Sequence, residues 1–180
     1  MRITRTPAVN MSAQAHLPRR HHHITEFADM KETDDPVTVE QTVAASREDV
    51  WAALTEVEKM RVWYFENIPA FEPRVGFEVR FDVESNTRTF THIWRVNHVE
   101  PMSSIGYEWQ YAHHPGDSSV CFHLSDSEHG THVVLTHTPI ETFPQEIPEF
   151  QREACLQGWV YFVRRALPNF LDGDRPRSEE

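Results

Sequence analysis

Cysteine is scarce in this chain, which carries only Cys121 and Cys155 among 180 residues. Two thiols cannot build a disulfide framework, and neither stands in a C-x-x-C or Cys/His metal spacing. A reducing cytoplasm is therefore the expected compartment, and no metal or cofactor is expected. Long apolar runs are missing too: nothing approaches the roughly 18 residues that a membrane-spanning helix needs. The early arginines have no apolar stretch behind them, so a secretory signal is not expected. Basic charge is in deficit, with 17 Lys and Arg against 28 Asp and Glu and a formal net charge of -11. That sign opposes phosphate backbones and anionic lipid surfaces, which excludes nucleic acid and membrane as expected partners. Catalytic signatures are absent as well: there is no G-x-S-x-G elbow, H-E-x-x-H, Walker loop or G-x-G-x-x-G.

What the chain does have is aromatic bulk, with 11 Phe, 5 Trp and 4 Tyr. Its length suits one domain with a real core. Residues 1–35 hold no period of 2 or 3.6 and carry Pro7, Pro18 and the run Arg19-Arg20-His21-His22-His23. They read as a disordered arm, with a second short tail at 174–180. The domain is expected over 36–173.

Regular patterning begins at Val37, where Val37, Val39 and Val43 alternate with polar residues as a first strand. Ser46-Arg47-Glu48-Asp49 has the spacing of a capping box, and so has Thr55-Glu56-Val57-Glu58. These predict two short helices in tandem. Phe77, Val79, Phe81 and Val83 then alternate strictly with Glu78, Arg80 and Asp82. The next strand, about 89–99, has mixed faces that leave its inward side open. Ile105, Tyr107 and Trp109 alternate again, as do Val120, Phe122 and Leu124, and then Val133, Leu135 and His137. Pro148 suits a first helical turn. Leu156, Trp159, Val163, Ala166 and Phe170 predict one buried helical stripe, with Pro168 kinking or ending the helix near the turn before it.

Strand, two short helices, five strands and a long amphipathic helix is an α+β order. It predicts a curved six-stranded antiparallel sheet gripping the C-terminal helix. A helix about 10 Å across cannot fill a wide curved sheet, so a cavity is expected between them.

Several pieces carry a resemblance. They are Glu58-Lys59-Met60 before Trp63, Val75-Gly76-Phe77-Glu78-Val79, and Val99-Glu100-Pro101 before Ile105-Gly106-Tyr107-Glu108-Trp109. Gly130-Thr131-His132-Val133-Val134-Leu135-Thr136-His137 and Gly158-Trp159 complete the set. From about Val37 to Leu171 the chain resembles the START/Bet v 1-like (SRPBCC) superfamily. Within it, the chain is most similar to the family named after the C-terminal domain of the activator of Hsp90 ATPase. The resemblance implies the helix-grip fold, whose families bind lipids, hormones and polyketides or act as cyclases, hydrolases and co-chaperones. Phe77 stands where a second glycine often follows the one matching Gly76, narrowing the room beside that strand. The co-chaperone's additional N-terminal domain has only a short polar stretch opposite it here.

The expected function is binding of a small, apolar or aromatic ligand rather than catalysis. Expected lining residues are Trp63, Phe65, Phe77, Phe81, Tyr107, Trp109, Phe122, Leu135, His137, Trp159 and Val163. His137 is foremost among them, sharing the face of Val133 and Leu135; it is either a ligand contact or a histidine satisfied by its neighbours. Two alternatives stand beside this reading. One is a small cyclase or hydrolase using His137 with Tyr107 as acid–base pair, and the other is a protein-interaction module with a chaperone partner. His123 and His132 share the outer face, where a weak metal site would need them to meet.

Overall fold

The structure, a computed structural model, describes residues 35–173. The arm up to residue 34, with its histidine run, and the tail at 174–180 lie outside the described residues. The fold is α+β: strand β1 (Val37–Val43), helices α1 (Arg47–Thr55) and α2 (Val57–Trp63), and then five strands. These are β2 (Glu78–Glu84), β3 (Thr89–Glu100), β4 (Ser104–Tyr111), β5 (Ser118–Ser127) and β6 (Gly130–Thr138). Strands β2 to β6 form an antiparallel meander, and β1 returns to pair with β6, giving the order β1-β6-β5-β4-β3-β2. The C-terminal helix lies over this sheet as α3 (Arg152–Tyr161), a π turn (Phe162–Ala166) and α4 (Leu167–Gly173). This is the helix-grip arrangement that the sequence predicts.

Local chemistry explains most boundaries. Ser46 caps α1, its Oγ accepting from the Asp49 backbone N–H at 3.1 Å, which satisfies one of the orphan donors of the first turn. Thr55 does not cap α2 as its spacing predicts. It sits at the buried end of α1 and donates its hydroxyl to the Trp51 carbonyl at 2.7 Å, a back-bond open to any helical threonine. Glu56 occupies the cap position instead, without a side-chain bond.

Strand β3 shows why its faces read as mixed. Phe90, His92, Trp94 and Val96 are buried, so even positions face inward along its first half. The register then shifts between Val96 and His98, and the extra residue flips the parity. Val99 comes to lie opposite the buried Ile105.

Pro148 opens a separate 3₁₀ turn (Pro148–Phe150), and α3 begins only at Arg152. The buried stripe of the last helix is Trp159, Val163, Leu167 and Leu171. Of the expected stripe, Leu156, Ala166 and Phe170 are only half-buried. The π turn is the cause. It lies just before Pro168, which lacks the N–H for a normal helical bond, and Leu167 N–H reaches back five residues to the Phe162 carbonyl. The widened turn holds a spacing of four on a single line, where a plain α-helix would drift.

Stacked aromatic rings run through the core. Tyr64 stacks on Trp63 at 4.9 Å and on Trp94 at 5.3 Å, and Trp94 stacks on Tyr107 at 4.7 Å.

The β5–β6 turn rests on Gly130, whose φ of +123° is left-handed and whose missing Cβ leaves room for the Val43 carbonyl. A Cβ there would fall 2.2 Å from that oxygen. Gly130→Ala is therefore expected to push β1 from the sheet edge and cost at least 2 kcal/mol, on the order of a strained backbone site plus a clash. Urea denaturation measures it, and an unchanged midpoint would contradict the turn geometry.

Candidate functional site

A cavity of about 160 Å³ lies between the sheet and the first half of the last helix. The helix supplies Cys155, Gly158, Trp159 and Phe162, an i, i+3, i+4, i+7 stripe that places all four on one face. The sheet supplies His92 from β3, Trp109 and Tyr111 from β4, and His137 from β6, while Phe65 reaches in from the segment after α2. Exposed Ala154 and the partly exposed Glu149 complete the lining at the solvent side.

Four of the eleven expected lining residues meet here: Phe65, Trp109, His137 and Trp159. The other seven lie elsewhere. Tyr107, Phe122, Leu135 and Val163 do face inward, but each is at most 2% exposed and enclosed by packed neighbours. Trp63 is buried as well, donating its indole N–H to the Ala53 carbonyl at 2.8 Å. Phe81 stacks behind His92 at 5.2 Å. Phe77 packs edge-on against Phe71 at 6.0 Å. Sequence reasoning missed His92, Tyr111, Cys155 and Phe162. Tyr111 was accessible by carrying the Tyr107–Trp109 alternation one step further, and Cys155 by counting four residues back from Trp159.

His137 has both ring nitrogens occupied. Trp159 Nε1–H donates to its Nδ1 at 3.0 Å, which fixes the proton on Nε2. Nε2–H therefore donates to Ser118 Oγ at 2.7 Å, and the Ser118 hydroxyl passes its proton to the Trp109 carbonyl at 3.2 Å. Burial holds His137 down to a pKa of about 3, so it is neutral near pH 7. The Cys155 sulfur lies 3.4 Å from Nδ1, but burial pushes its thiol up to about 12. Both shifts favour the neutral thiol and imidazole, the opposite of the thiolate–imidazolium pair a nucleophilic cysteine needs.

The suggested acid–base pair of His137 and Tyr107 is not assembled. Both lie opposite Val120, one on each neighbouring strand, which puts them two strand spacings, roughly 9.5 Å, apart. The Tyr107 hydroxyl bonds that of Tyr64 at 3.1 Å, and burial raises its pKa.

His92 differs from His137. Its Nδ1–H donates to the Phe90 carbonyl at 3.1 Å, so Nε2 keeps its lone pair. Burial, partly offset by that carbonyl, lowers its pKa to about 4. Trp109 Nε1–H is buried without a hydrogen-bond partner, and its polar neighbour is the Tyr111 hydroxyl. Burial raises the Tyr111 pKa, so the phenol stays protonated.

On the outer face His123 lies 3.3 Å from Cys121, while His132 bonds Thr42 and approaches Glu40 at 3.4 Å. His132 lies opposite Ser125 and His123 opposite Val134, so the two do not meet. Among the described residues no group of three or more potential ligands gathers for a metal. Nor is any described helix long and apolar enough to cross a membrane.

Comparison with known proteins agrees with this fold. Residues 44–172 match the model of the family described as activator of Hsp90 ATPase homolog 1-like protein. The chain belongs to that family. No curated protein matches it. Among solved structures, it is similar to the Mesorhizobium loti protein MLL2253, at 27% identity and a TM-score of 0.63, covering 79% of this chain and 100% of that one. It is also similar to CV1439 of Chromobacterium violaceum, at 17% identity and a TM-score of 0.64, covering 77% and 98%. DynU16, from the dynemicin biosynthetic locus, shares 23% identity with a TM-score of 0.62 over 79% of this chain and 49% of its own. The likeness of the last two extends to the fold alone. Within the family domain, the cavity against α3 is where the polar and apolar groups converge.

Proposed function

We propose that the protein binds a small, largely apolar molecule, about the size of one aromatic ring, in the cavity against α3. Gly158 carries this reading. It sits inside a helix, where glycine costs roughly 1 kcal/mol relative to alanine. A Cβ built on it would meet nothing within 4 Å, and the open space beside it is the cavity. The helix thus forgoes stability to keep that space clear. A volume of about 160 Å³ is below the usual range for drug-sized ligands and close to that of an engineered cavity of about 150 Å³ that takes benzene. The π turn beginning at Phe162 falls on the same wall, and such turns recur at functional sites. Phe65 lines both the cavity and an open groove of about 550 Å³ on its other side. It is the partition a ligand would pass.

Gly158 also supplies the test. Gly158→Ala is expected to raise stability by about 0.5–1 kcal/mol through helix propensity. Gly158→Leu should fill the cavity and abolish saturable binding of toluene, read by ligand-observed NMR and by the rise in Tm. Binding that is absent from the wild type, or unchanged in Gly158→Leu, rejects this site.

A further inference from the structure

The cavity wall has a polar side whose requirements are unequal. His92 Nε2 is an acceptor, because Nδ1–H is committed to the Phe90 carbonyl. Trp109 Nε1–H is a buried donor without a partner. The Tyr111 ring lies 4.8 Å from that of His92 and 6.2 Å from that of Trp109, and its hydroxyl can both donate and accept. His137 asks for nothing more, since Trp159 and Ser118 already occupy it. A ligand completing this side must offer a donor to His92 and an acceptor to Tyr111. A hydroxyl does both with one atom, whereas a ketone or ether only accepts. The rest of the wall is aromatic: Phe65, Trp159 and Phe162. The one carboxylate on it, Glu149, stands at the solvent side and no lysine or arginine lines it, so an anionic ligand finds no counter-charge.

Resting on the ring-sized binding reading above, we infer that the cavity is a site for an uncharged hydroxyaromatic ring. Its hydroxyl donates to His92 Nε2 and accepts from the Tyr111 hydroxyl. The selectivity follows from groups left unmatched: a site built for a hydroxyl penalises an analogue that lacks it more than it penalises a change of apolar size.

The test compares phenol, anisole, toluene and benzoate on the intact chain, by calorimetry and by histidine ¹⁵N spectra. Phenol is expected to bind at least tenfold more tightly than toluene or anisole, with benzoate the weakest. On adding phenol, the His92 Nε2 resonance should move upfield while the resonances of His137 hold. His92→Phe should remove the preference, bringing the affinities for phenol and toluene to within about twofold of each other. Tyr111→Phe should do the same more weakly. Toluene and phenol binding equally, both blocked by Gly158→Leu, would overturn the hydroxyl assignment and leave the binding reading standing. Benzoate binding tightest would overturn the requirement for an uncharged ligand. No binding by any of the four would overturn both.

Discussion

Between pH 6.5 and pH 4 the protein is expected to lose most of its stability, in proportion to two buried imidazoles. A histidine in the unfolded chain titrates near 6.5. Burial holds His92 to about 4 and His137 to about 3. Below pH 6.5 the unfolded chain takes up protons that the folded one refuses, so stability declines as pH falls. The slope is about 1.4 kcal/mol per pH unit for each histidine. It persists until the pH passes below the folded values, first for His92 and then for His137. Above pH 6.5 both states are neutral at these sites, and the full stability is present. Over this window the two together remove on the order of 5–7 kcal/mol, comparable with the whole stability of many domains. Urea midpoints at pH 7, 5.5 and 4.5 measure the decline, and His92→Phe should roughly halve its slope. A midpoint that stays level from pH 7 to 4.5 would show that these imidazoles are not held neutral.

Truncating Trp159 should have an effect of similar size. Its ring packs edge-on against Phe122 at 5.9 Å and Trp109 at 5.8 Å, and its N–H satisfies His137 Nδ1. Trp159→Ala is expected to cost about 3–5 kcal/mol, the usual range for a buried tryptophan. Trp159→Phe separates the two roles. It keeps most of the packing and removes only the hydrogen bond, leaving a buried acceptor short of its donor at about 1–3 kcal/mol. Val163→Ala, at a position fully enclosed under the same helix, isolates packing alone and should fall between a mild and a moderate loss. If Trp159→Phe proves neutral in chemical denaturation, the Trp159–His137 bond contributes nothing to the fold.

Much of this architecture was legible because alternation is a property of the backbone. Once Tyr107, Phe122 and Leu135 are read as inward, they are inward in the structure. Inward is not the same as cavity-lining, however. The sequence reading makes Leu135 a wall residue, yet it is 0% exposed and absent from the wall. Where the free space falls depends on the rotamers of large aromatic rings, which fill most of the gap beneath the helix. Periodicity carries no information about those rotamers. His92 stayed hidden for a different reason: the bulge at the end of β3 scrambled its strand's parity. Gly158 was visible only as part of the Gly158-Trp159 piece of the family resemblance, because the meaning of a helical glycine lies in what faces it.

The pairing of β1 with β6 bears on how the chain is made. Strands β2 to β5 each find a partner in the next strand to leave the ribosome, a run of local hairpins. Strand β1 instead waits for β6, whose last residue follows about 95 residues after Val43. At synthesis rates of about 5–20 residues per second that wait lasts about 5–20 seconds. Throughout it, the Val37–Val39–Val43 face has no sheet to bury against, and the nascent chain carries an unsatisfied apolar edge. Closing that long loop carries the largest chain-entropy cost among the strand pairings of this sheet. A cell making this protein slowly therefore has most to gain from anything that shields those first seven strand residues until the last strand emerges.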